Sequence, residues 1–127
     1  MKLNIFMSIA AVVACLFGLA FLLAPVLTMS MYGVALDISG QSIAKYLGSA
    51  YLGIAVMIWL ARNAQPNNEA LRAITMGGLI LCLTSLIVSL LDVFKGGGNN
   101  LIWSTVIIHF LLAVGFGYYR FGKSAGS

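Results

Sequence analysis

The chain has 127 residues, 61% hydrophobic and 8% charged, with a formal net charge of +4 and a mean hydropathy of +1.04. Soluble domains carry about 25% charged residues because a surface in water needs them, so this composition excludes a globular protein in water and makes lipid the solvent for most of the chain. The basic residues are scattered rather than massed beside aromatics, a pattern that does not indicate nucleic acid as a partner.

No charged residue occurs from Leu3 to Leu36, from Tyr46 to Ala61, from Ala73 to Leu91 or from Gly96 to Tyr119. A bilayer core takes roughly 20 helical residues to cross. The expected fold is therefore an all-α membrane protein, a single four-helix transmembrane domain of up-down topology. The first helix is expected over Asn4–Ala24, closed by Pro25, which lacks a backbone donor. Lys2 ahead of an apolar run has the look of a signal peptide, and Val12-Val13-Ala14-Cys15 that of a lipoprotein cleavage box. The run nevertheless continues unbroken to Leu23, beyond the roughly 7–15 residues of a signal segment, and reads as a retained helix.

The semi-apolar stretch from Pro25 to Gly40 is expected to lie along the membrane interface. The second helix is expected over Gln41–Ala61, its uncharged part only 16 residues long, so that Lys45 falls in the first turn. A polar turn, Asn63 to Asn68, leads to a third helix over Ala73–Phe94. Gly96-Gly97-Gly98-Asn99-Asn100 leads to a fourth over Leu101–Phe121. With four spans, Lys2, Arg62, Arg72, Arg120 and Lys123 fall on one side and Lys45 and Lys95 on the other. The positive-inside rule then places both termini in the cytoplasm.

Small residues let helix backbones approach closely in lipid. Ala10, Ala14 and Gly18 form such a stripe on the first helix. Lys45, Gly48, Ser49 and Leu52, with Gly53 beside them, do so on the second. Gly78, Cys82, Ser85, Ser89 and Asp92 step along the third, and Thr105, His109, Ala113 and Gly117 along the fourth. These stripes are the expected inward faces. Lys45, Tyr46, Ser89, Asp92, Thr105 and His109 would line an outward-facing polar pocket, with His109 about 12 Å below the start of its helix. The competing expectation is that Lys45 and Asp92 are interfacial anchors and His109 a hydrogen-bonded packing residue.

Cys15 and Cys82 sit in apolar runs with no C-x-x-C, which indicates small hydrophobes rather than redox or zinc chemistry. Neither a catalytic triad, a phosphate loop nor a zincin motif occurs, and the single His cannot supply bis-histidine haem ligation, so no cofactor or metal is expected.

Pro25 closing the first helix, Gly33 in the following loop, the run Lys45-Tyr46-Leu47-Gly48-Ser49-Ala50-Tyr51-Leu52-Gly53 and the terminal Arg62 together resemble the DoxX-like group of small four-helix bacterial membrane proteins. Lys45 stands where members of that group more often have Arg. The resemblance implies a protein of the bacterial inner membrane, and some members accompany quinone-linked membrane oxidoreductases. The expected function is a non-enzymatic accessory or interaction subunit in the bilayer, with a membrane-protein partner or a second copy of itself. The alternative is a binder or transporter of a small or lipophilic ligand. An enzymatic role would require His109 as the acid–base group.

Overall fold

The computed structural model describes residues 1–122, and Lys123, counted above among the basic residues of one side, lies outside them. Five helices follow in order: α1 (Leu3–Leu23), α2 (Pro25–Met31), α3 (Ile38–Ala61), α4 (Glu69–Phe94) and α5 (Ile102–Phe121). There is no strand among the described residues. All except α2 are long and apolar enough to cross a membrane.

The helix boundaries follow from backbone chemistry that hydropathy does not register. α1 ends where Pro25 removes a donor, and the chain restarts at once as α2 with that proline in its first turn, where a missing N–H costs nothing. Thr28 Oγ1 donates to the carbonyls of Ala20 and Ala24 at 3.0 and 2.8 Å, satisfying groups at the break. The stretch after Pro25 thus begins as a short helix. α2 closes on Gly33, at φ +75°, with Gly33 N–H donating to Ser30 and Val34 N–H to Met29. α4 ends in the same way at Gly96, at φ +72°, with Gly96 N–H donating to Val93 and Gly97 N–H to Asp92. Both are Schellman closures, which need a residue free to adopt positive φ.

α3 starts three residues before the expected Gln41 because the Asp37 carboxylate accepts from Gly40 N–H at 2.6 Å. Lys45 consequently stands about 10 Å along the helix instead of in its first turn. α4 likewise starts at Glu69, ahead of the expected Ala73, because Asn68 Oδ1 accepts from the amides of Ala70 and Leu71. Polar caps extend both helices beyond their apolar runs.

α1 packs along α3, and α4 along α5. Gly18 and Gly48 set the first contact: a Cβ on Gly48 would stand 2.7 Å from the Gly18 carbonyl oxygen and from Leu22 N. In the second pair the Phe116 ring occupies the space above Gly78. Phe6 joins the two pairs, meeting Phe116 edge-on at 4.9 Å and lying against Gly115 and Tyr119. Around this junction lie Met7, Ala10, Ala11, Ile58, Leu71, Cys82 and Ala113, a core drawn from all four long helices.

The side-chain distribution is inverted relative to a protein in water. Leu16, Leu60, Ile87 and Leu111 are each more than half exposed, whereas Thr75, Ser89 and His109 are buried. Large apolar residues are exposed on all four long helices, an arrangement suited to an apolar solvent.

Candidate functional site

The six residues expected to share a pocket differ in exposure. Ser89 and His109 are buried, at 7% and 6% exposure, and Thr105 is half-buried. Lys45, Tyr46 and Asp92 are exposed. Lys45 and Ser49 were expected on the inward stripe of α3. The face turned inward runs through Ala44, Gly48, Tyr51, Ala55 and Ile58, with Leu52 beside it against Gly18, so Gly48 and Leu52 of the expected stripe pack inward while Lys45 and Ser49 are exposed. Of the expected packing positions, Ala10, Ala14, Gly18, Gly48 and Ala113 are buried. Gly78 is covered by Phe116, and Gly117 lies in ordinary contact with Leu79. Gly53 lies on the outward face, with open space where a Cβ would be.

The buried polar groups are largely satisfied by their own helices. Ser89 Oγ donates to the Ser85 carbonyl at 2.8 Å, and Thr75 Oγ1 to the Leu71 carbonyl at 2.9 Å. His109 Nδ1 lies 2.8 Å from the Thr105 carbonyl oxygen. A carbonyl only accepts, so Nδ1 carries the proton, and in the neutral ring Nε2 is left as the acceptor. The Thr105 hydroxyl is itself bonded to the Tyr32 hydroxyl, at 3.2 Å, which ties α5 to the turn after α2. Asn99 adds to that tie: its Nδ2 donates to the Met31 carbonyl and its N–H to the Tyr32 carbonyl.

Between the four long helices lies a narrow cleft of about 30 Å³, bordered by Phe17, Tyr51, Cys82, His109 and Phe116 among others. Tyr51 lines it with its ring 6.1 Å from that of Phe17. At about 30 Å³ the cleft is far smaller than the roughly 300–1,000 Å³ of pockets that hold organic ligands.

Tyr51 and Cys82 belong to this interior site, and neither was expected in a polar cluster. The helical stripe Ala44-Gly48-Tyr51-Ala55-Ile58, stepping by four, three, four and three, was the available signal for Tyr51. No group of three or more His, Cys, Asp or Glu side chains able to hold a metal occurs among the described residues. No protein-family model, curated protein or solved structure matches the chain.

Proposed function

We propose that the chain is a four-span, up-down protein of the bacterial cytoplasmic membrane, with both termini inside, acting as a non-enzymatic accessory subunit that presents α3 to a neighbouring membrane helix. The observation that carries this reading is the outward face of α3. Ser42, Lys45, Ser49 and Gly53 fall on one side of that helix and are all exposed. A lysine about 10 Å inside a spanning helix is costly against hydrocarbon. Small residues beside it are what a second helix needs for close approach. The apolar belt on the remaining surface supports residence in lipid, and the basic residues at one end support cytoplasmic termini. Some members of the DoxX-like group that the chain resembles accompany quinone-linked membrane oxidoreductases, and the proposed partner includes a subunit of that kind.

Purification from native membranes in mild detergent tests the reading. The wild-type chain should carry a stoichiometric protein partner or a second copy, and Gly53→Ile should lose it. Gly77→Ile is the control, because Gly77 also has open space at its Cβ but lies on α4. Retention of the partner by Gly53→Ile, or a wild-type chain that purifies alone, would overturn the proposal.

A further inference from the structure

One end of the molecule gathers the start of α1, the start of α4 and the end of α5 around an open cleft of about 580 Å³. Lys2, Arg72 and Arg120 line it, while Leu3 and Leu71 form an apolar wall. Arg72 and Arg120 also border a second cleft, of about 350 Å³, which contains Glu69. Three cations thus face a single carboxylate across the two clefts. Among the described residues Arg120 Nε is shut off from solvent and has no hydrogen-bond partner, an expense that a native structure rarely leaves standing without a ligand or ion. Ile5 N–H is held by Asn4 Oδ1 and the Lys2 carbonyl, and the positive end of the α1 dipole adds potential at the same place. The Tyr119 hydroxyl donates to the Met1 carbonyl and holds the start of the chain against α5.

We propose that this cleft binds a phosphate group, supplied either by the headgroup of an anionic phospholipid or as free phosphate. Guanidinium groups recognise phosphate through paired, charge-assisted hydrogen bonds. The cleft is of the size that small ligands occupy. Its apolar wall suits the glycerol and first acyl carbons of a lipid whose phosphate meets Arg72 and Arg120. The lipid source rests on the membrane reading above, which puts this end at the cytoplasmic surface; the phosphate chemistry does not.

Thermal unfolding of the full chain in detergent tests the proposal, titrated in one arm with phosphatidylglycerol against phosphatidylcholine. A second arm, free of lipid, compares inorganic phosphate with chloride at equal ionic strength. Selective stabilisation by phosphatidylglycerol identifies a lipid headgroup, and stabilisation by phosphate in the lipid-free arm identifies the free anion. In either case Arg72→Gln and Arg120→Gln should each weaken the apparent affinity about fivefold, the effect of one cation at a lipid surface. Arg62→Gln should leave it unchanged, because Arg62 lies outside the cleft with its guanidinium 3.8 Å from the Trp59 ring. If Arg120→Gln does not fold, Arg72→Gln decides, since Arg72 is exposed. Absence of anion selectivity in both arms, or equal weakening in Arg62→Gln, overturns the proposal. A chain that fractionates with membranes yet shows no selectivity fails this inference alone.

Discussion

Gly48→Ala isolates the contact that sets the α1–α3 spacing. The added methyl would stand 2.7 Å from the Gly18 carbonyl oxygen and from Leu22 N, and 3.1 Å from Leu22 Cα. All three are backbone atoms, so no side-chain rotation relieves the clash. An ordinary contact for a methyl is about 3.5 Å or more, and the helices must therefore part by most of an ångström. A gap of that size forfeits a quarter to a half of the dispersion energy of each contact it opens. Overpacking of this kind costs about 1–3 kcal/mol. Gly53→Ala places the same methyl in open space on the same helix, and helix propensity favours Ala by up to about 1 kcal/mol. Thermal unfolding of the two variants in one detergent should therefore move in opposite directions, with Gly48→Ala lower than wild type by about 5–10 °C on the scale of small domains. Equal midpoints for Gly48→Ala and Gly53→Ala would refute the close approach of α1 and α3.

Other substitutions probe separate parts of the structure. Phe116, 2% exposed and seated over Gly78 against Phe6, should cost about 3–5 kcal/mol as Phe116→Ala, measured by the same unfolding assay. Gly33→Ala forces a side chain onto φ +75° and should cost about 1–2 kcal/mol, whereas Gly77→Ala, in open helix, should cost nothing. Tyr32→Phe removes the partner of the Thr105 hydroxyl and should cost about 0.5–1.5 kcal/mol; an unchanged midpoint would show that the bond does not tie α5 to the α2 turn. In a background without Cys15 and Cys82, Asn100→Cys should react with an impermeant thiol reagent on intact cells. Asn67→Cys should react only after permeabilisation, and the reverse pattern would invert the proposed topology.

The four long helices were legible because each is a long run with little or no charge, long and apolar enough to cross a membrane. Their boundaries were less so. Asp37 and Asn68 extend α3 and α4 by capping amides, a hydrogen-bond effect invisible to a hydropathy count. The stretch from Pro25 contains a true helix because Pro25 can begin one as readily as it ends another. On α1 the Ala10-Ala14-Gly18 stripe lies inward, as small residues indicate. On α3 two candidate stripes existed, one through Lys45 and Ser49 and one through Ala44 and Tyr51, and both contain small residues. Choosing between them requires knowing where α1 and α4 lie. The same ambiguity hid Gly115, whose importance comes from the Phe6 ring lodged against it from another helix.

Lys45, Asp92 and His109 mark the division between the two kinds of information. From composition alone the chain had to satisfy its backbone internally and meet an apolar solvent, since 8% charge cannot cover a surface in water. That reasoning requires no partner for any residue, and it gave four long apolar helices, as the structure has. Which polar groups meet depends on the rotation of each helix about its axis, and in segments apolar nearly all round that rotation leaves little trace in one sequence. The tertiary structure turned His109 inward onto the Thr105 carbonyl and left Lys45 and Asp92 outside. It also drew Lys2, Arg72 and Arg120, from three separate elements, to the border of one cleft.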